Sequence, residues 1–89
     1  MPTREVTIIN KLGLHARAAA RFVTIANRFQ AGILVHRDDK TVNGKSIMGM
    51  MMLAAGRGTT LTLEAEGEDA CEALDALEAL VNDRFEESE

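Results

Sequence analysis

The sequence predicts an α+β domain whose helices cover one face of a sheet. Three patterns lead there. Residues 59–66, Thr-Thr-Leu-Thr-Leu-Glu-Ala-Glu, alternate apolar and polar side chains, the period of a half-buried strand. Two longer stretches, from Ala16 and from Ala70, instead repeat their apolar residues every three or four positions, the period of a helix lying on a core. The elements read in order as β-α-β-β-α-β-α, and a sheet apolar on one side only places its helices on that side.

Glu5-Val6-Thr7-Ile8-Ile9 reads as the first strand, with Val6 and Ile8 inward. Asn10-Lys11-Leu12-Gly13 is a loop. The first helix starts at Ala16 and ends before Gly32. Arg17, Arg21, Thr24 and Arg28 form its polar stripe, and Ala18, Phe22, Ile25, Ala26 and Phe29 its apolar face. Ile33–His36 and Thr41–Asn43 are short strands joined around Asp38-Asp39. Ser46 caps a second helix whose apolar run reaches Ala55, with Gly56 beyond it. Its buried stripe is expected to be Met50, Leu53 and Ala54. The alternating strand then turns Leu61, Leu63 and Ala65 inward. Gly67 closes it, and Ala70, Ala73, Leu74, Leu77, Leu80 and Val81 line the last helix. Glu68 and Asp69 stand where that helix's dipole favours anions. Residues 86–89, Glu-Glu-Ser-Glu, are expected to fray.

The chain has 89 residues, 46% hydrophobic and 27% charged, which suits one globular domain spanning 1–89. A single cysteine, Cys71, excludes an internal disulfide framework. No apolar run approaches a membrane span, and the first residues lack the apolar stretch of a signal peptide, so a cytoplasmic location is expected. The net charge of -4 hides an asymmetry. Residues 1–60 carry nine basic and three acidic side chains; residues 61–89 carry one and eleven. Such a basic front and acidic back suit either an oriented partner or a solvated acidic helix.

Several site chemistries fail on spacing. Asn43-Gly44-Lys45-Ser46 resembles the end of a phosphate-binding P-loop, but Asp39 stands where that motif needs glycine. His15, His36 and Cys71 lie on different elements without metal-ligand spacing. His36 alternates with inward Ile33 and Val35 and is read as structural on the polar sheet face. Carboxylates around Cys71 oppose a thiolate. Nucleic-acid binding has little support, with three Phe and no other aromatic residues to stack on bases.

His15 stands apart. It sits between a glycine-containing loop and the start of a helix, where N–H groups lack internal partners and the dipole favours anions. An imidazole there can be a capping or surface residue, or it can take a phosphoryl group on a ring nitrogen. In the second case the Ala16 and Arg17 amides and the Arg17 guanidinium would hold the new charge. Spacing alone leaves both open.

The residues themselves carry more. Gly13-Leu14-His15-Ala16-Arg17-Ala18-Ala19 closely resembles the active-site signature of the HPr family, histidine phosphocarriers of the bacterial phosphoenolpyruvate-dependent phosphotransferase system. Residues 44–53, Gly-Lys-Ser-Ile-Met-Gly-Met-Met-Met-Leu, are similar to that family's regulatory-serine segment, and Gly67-Glu68-Asp69-Ala70 with Ala73 and Leu74 to the start of its final helix. The resemblance covers essentially the whole chain. It implies an open-faced β-sandwich, a four-stranded antiparallel sheet with three helices on one face. It also implies a carrier rather than a turnover enzyme. Enzyme I, charged from phosphoenolpyruvate, would phosphorylate His15 at Nδ1, and His15 would pass the group to a IIA-type protein, with no metal or nucleotide needed. Arg17 would stabilise the phosphate, and the chain is expected to act as a monomer.

The resemblance gives four further residue-level expectations. Ser46 is a regulatory site for a dedicated serine kinase in some members, besides capping its helix. Successive helical residues point roughly 100° apart, so Ile47, Met48 and Met51 fall on a face other than that of Met50. In the family that face docks partners, and adaptable methionines suit several of them in turn; an extended edge of the core is the other reading. Ala18 stands where the signature usually has proline, which restores one N–H donor. Thr24 and Asn27 replace lysines of some members, giving a less basic docking rim. Ala18 and the Met48/Met51 face lean towards the nitrogen-related regulatory branch rather than the sugar-uptake branch. A regulatory binding protein of the same fold that relays no phosphoryl group is the alternative, and the presence of His15 with Arg17 argues against it.

Overall fold

The computed structural model describes residues 1–89. Four strands, β1 (Thr3–Thr7), β2 (Gly32–Arg37), β3 (Lys40–Asn43) and β4 (Thr60–Glu66), form one antiparallel sheet in the order β1-β4-β2-β3. Helices α1 (Ala16–Ala26), α2 (Ile47–Met52) and α3 (Ala70–Asn82) lie over one face, and a short turn follows at Arg84–Glu86. This is the open-faced sandwich the sequence predicts. β4, the most regular stretch of the sequence, is central and pairs with both β1 and β2, Leu63 facing Arg4 on one side and Val35 on the other.

Alternation decides which residues meet the helices. Val6, Ile8, Ile33, Val35, Leu61, Leu63 and Ala65 are all buried beneath Phe22, Ala26, Leu74, Leu77 and Val81. The opposite face is open and polar. There His36 Nδ1 bonds Thr41 Oγ1 and its Nε2 bonds Glu64 Oε1, both at 2.8 Å, as a structural histidine on that face requires.

Helix ends differ from the sequence reading in ways the backbone explains. α1 stops at Ala26, before Arg28 and Phe29. Their amides bond the carbonyls of Ile25 and Ala26, three residues back, tightening the chain into turns. α2 stops at Met52 because Ala54 takes a left-handed conformation (φ 52°). That turn exposes Ala54 and buries Ala55 in its place, alongside Met50 and Leu53.

Asp69 has a different role from the one its position suggests. Its side chain makes no capping bond to α3. Instead its two oxygens accept from the Gln30 and Ala31 amides, each at 2.8 Å, and clip the start of α3 to the segment entering β2. Gly67 allows this approach: its φ is 147°, and a Cβ there would lie 2.8 Å from Ala31 Cα. The Gln30 amide is the main cause holding the Asp69 carboxyl below its ordinary range. The Ala31 amide, Asp69's own amide and the Lys45 charge add to it and outweigh desolvation.

Two predictions follow from these contacts. Leu77→Ala, at a fully buried site, is expected to cost about 2–5 kcal/mol in urea denaturation. Asp69 has a lower carboxyl pKa folded than unfolded, so its contribution is present above about pH 4 and disappears as pH falls through the folded value. Asp69→Asn is therefore expected to lower the thermal midpoint at pH 7 and to converge on wild type in acid.

Candidate functional site

The site is built on the loop that delivers the chain from β1 to α1. Gly13, at φ 70°, makes the turn, and its N–H reaches the Asn10 carbonyl at 3.2 Å. The Leu14 amide bonds Ala55 O at 2.8 Å, which ties the loop to the segment after α2. Side chains other than glycine are doubly disfavoured at position 13. The backbone is left-handed, and a Cβ would sit 2.8 Å from Ala55 O and 2.9 Å from Gly56 Cα.

His15 leaves this loop in an extended conformation and caps α1. Its carbonyl accepts the first helical bond, from Ala19 at 2.8 Å, and its ring Nδ1 accepts the Arg17 N–H at 3.2 Å. The Ala16 and Ala18 N–H groups make no hydrogen bond. Nδ1 therefore carries a lone pair and faces the electropositive end of the helix. The exposed Arg17 guanidinium is free of the ion pairs that engage Arg4, Arg21 and Arg37. It lines a cleft with Lys11 and Arg21. The structure thus sets the His15 ring against the Arg17 amide at the start of α1.

The chain's last residues complete the site, against the expectation that they fray. Glu87 Oε2 bonds His15 Nε2, and Glu87 Oε1 accepts from Asn10 Nδ2 at 2.9 Å. Asn10, wholly buried, also donates to Gly13 O at 2.8 Å. Serving two acceptors fixes the amide's orientation, and its Oδ1 is left as a buried oxygen without a donor. Burial pushes the Glu87 carboxyl up, but the bonds from Asn10 and His15 and the nearby Arg21 charge hold it below its ordinary range.

Reaching this position strains the tail. Arg84, Phe85 and Glu86 are consecutive non-glycine residues at φ 55°, 53° and 67°. Each costs roughly 1–2 kcal/mol. Burial of the Phe85 ring offsets only about 1.5–3 kcal/mol of that. The rest must come from polar contacts: the Arg21 guanidinium on Phe85 O, the Lys11 amide on Glu89 O at 2.8 Å, and the Glu87 bonds. The acidic tail thus finds part of its partner in the chain's own basic front. No sequence period marks it; the only signal is Phe85, an aromatic residue among acidic ones.

The remaining site residues lie elsewhere. Ser46 caps α2, its Oγ accepting from the Gly49 amide at 3.0 Å. Ile47, Met48 and Met51 are exposed on that helix, and Met52, absent from the sequence reading of this face, is 69% exposed beside them. Cys71 is exposed. No cluster of three His, Cys, Asp or Glu side chains is placed to hold a metal ion, and no helix is long and apolar enough to cross a membrane.

Gly13→Ala tests the loop geometry. It is expected to cost at least about 1–2 kcal/mol in urea denaturation, from the left-handed backbone alone, and to shift the His15 ring resonances.

Residues 2–83 match the family described as the PTS HPr component phosphorylation site. The phosphocarrier protein HPr of Pseudomonas aeruginosa is 59% identical, with all of both chains covered. The phosphocarrier protein NPr of Shewanella violacea is 47% identical over 96% of this chain and 93% of its own. A crystal structure of HPr from Thermoanaerobacter tengcongensis superposes with a TM-score of 0.95 at 46% identity, both chains fully covered. With a histidine capping its first helix and this sheet order, the chain belongs to the HPr family of phosphotransferase-system phosphocarriers.

Proposed function

We propose that His15 is the phosphoryl acceptor and donor of a relay, taking the group from phosphorylated enzyme I and delivering it to a IIA-type protein. One observation carries this reading: the Nδ1 lone pair of His15 meets the Arg17 amide at the amino end of α1. A nucleophile there delivers the transferred oxyanions to donors already in place. The Arg17 amide, freed from Nδ1 when a phosphorus atom binds it, turns to a phosphoryl oxygen. The Ala16 and Ala18 amides lie in the same turn, and the Arg17 side chain has the reach to close over the group. Ala18 contributes a donor that proline at this position would lack. Because the charge is spread over a few amides and one mobile arginine, the group is held loosely enough to pass on.

Partner docking would use the exposed Ile47, Met48 and Met51 face of α2, joined by Met52. The carrier works in the cytoplasm, on phosphorylated proteins of the sugar-uptake or the nitrogen-related system, and as a monomer, since one chain closes its own core. Ser46 supports a second, regulatory input. A kinase that phosphorylates it would place a dianion at the start of α2 beside that docking face. A purely regulatory, non-relaying role fits less well, because it leaves the His15–Arg17 geometry without a use.

The test is incubation with enzyme I and phosphoenolpyruvate labelled in its phosphoryl group. Wild type is expected to take up one acid-labile label, and His15→Ala none. Arg17→Ala is expected to slow uptake by about 10-fold or more, in line with loss of one transition-state donor. An unlabelled wild type would favour the regulatory alternative.

A further inference from the structure

We infer that Glu87 is a positioning residue for the relay, holding the proton on His15 Nε2 through both halves of phosphoryl transfer. This rests on the reading of His15 as the phosphoryl carrier. The geometry supplies the two roles separately. Nδ1 accepts the Arg17 N–H, so the neutral ring carries its proton on Nε2, and that N–H donates to the Glu87 carboxylate. The carboxylate is itself fixed by Asn10, which is anchored in turn to the loop at Gly13. Glu87 is partly shielded, its side chain 17% exposed, so its charge acts on the ring with less screening than at an open surface.

The chemistry gives this contact a purpose. In the first half, the Nδ1 lone pair forms a bond to phosphorus. The donor's P–N bond breaks, and its electron pair stays on the donor nitrogen. The Nε2 proton does not move, so the ring becomes an N-phosphorylated imidazolium, its positive charge facing the Glu87 carboxylate. In the second half, the acceptor's lone pair bonds phosphorus, the P–Nδ1 bond breaks, and its electrons return to Nδ1. With Nε2 still protonated the ring leaves as neutral imidazole. Without that proton it would have to leave as imidazolate, a far more basic and slower leaving group. A carboxylate on Nε2 therefore keeps the group transferable. Other charges face the same cleft: Lys11, Arg17 and Arg21 oppose the imidazolium, and Glu86 and Glu89 assist it. Of the acidic groups, Glu87 alone makes the hydrogen bond to Nε2.

The experiment follows the phosphorylated protein by 31P NMR across pH and measures transfer to a IIA-type acceptor. Glu87→Gln removes the charge and keeps the size. The titration midpoint of the phosphorylated ring is expected to fall by about one pH unit or more, the usual effect of losing an adjacent opposite charge. Transfer is expected to slow by about 10-fold at pH 8 and less at pH 6, where the ring holds its proton unaided. A merely structural role would not move the midpoint. Glu87→Asp, which keeps the charge, is expected to recover part of the shift and covers the case in which Glu87→Gln loosens the tail. An unchanged midpoint and pH profile in Glu87→Gln, with normal labelling of wild type, overturns the role of Glu87 and leaves the carrier standing. Failure of the Asp variant to recover any of a shift overturns it too. If wild type takes no label on His15, the carrier reading falls and this inference with it.

Discussion

The amino end of α1 is the constraint on which the site depends. A helix opens with N–H groups that have no carbonyl one turn back, and something must face them. Here the imidazole of His15 does so, with Nδ1 as acceptor. Ser, Thr, Asp or Asn would cap the helix as well or better. What histidine adds is a nucleophilic lone pair that can exchange its N–H partner for a phosphorus atom while the same amides stay in place. On the proposed reading, capping and chemistry use one interaction.

That interaction is held from three directions. Beneath it, Ala18, Ala19, Phe22 and Val23 pin α1 to the core. From the side, Gly13 and Leu14 lock the entering loop against the end of α2. From above, the tail crosses the site through a strained left-handed turn and sets Glu87 against the far ring nitrogen. The first two supports belong to the hydrophobic core. The third is polar and strained, so it is the weakest of them.

The legible part of the sequence is the part with a period. β4, the apolar stripes of α1 and α3, and the hairpin around Asp38 follow from alternation and helical spacing, because each buries one face against a common core. His15 and Ser46 were legible as helix-start residues, and resemblance to a known signature supplied the chemistry that spacing left open. Other features escaped because tertiary contacts set them. Ala54 turns left-handed so that Ala55 can fill the core, which no propensity of alanine announces. Asp69 looks like a cap and instead clips a distant loop. Glu87 looks like one more tail carboxylate; its role depends on Asn10 and His15, over seventy residues away.

The central claim is that Nδ1, the nitrogen facing α1, is the atom that carries the phosphoryl group. The most direct measurement is one-bond coupling between 31P and the ring nitrogens in protein phosphorylated by enzyme I and labelled with 15N in histidine. Phosphorus is expected to couple to His15 Nδ1, with Nε2 still bearing its proton. Phosphorus on Nε2, which would expel Glu87 and leave the helix amides unused, or phosphorus on His36, would contradict it.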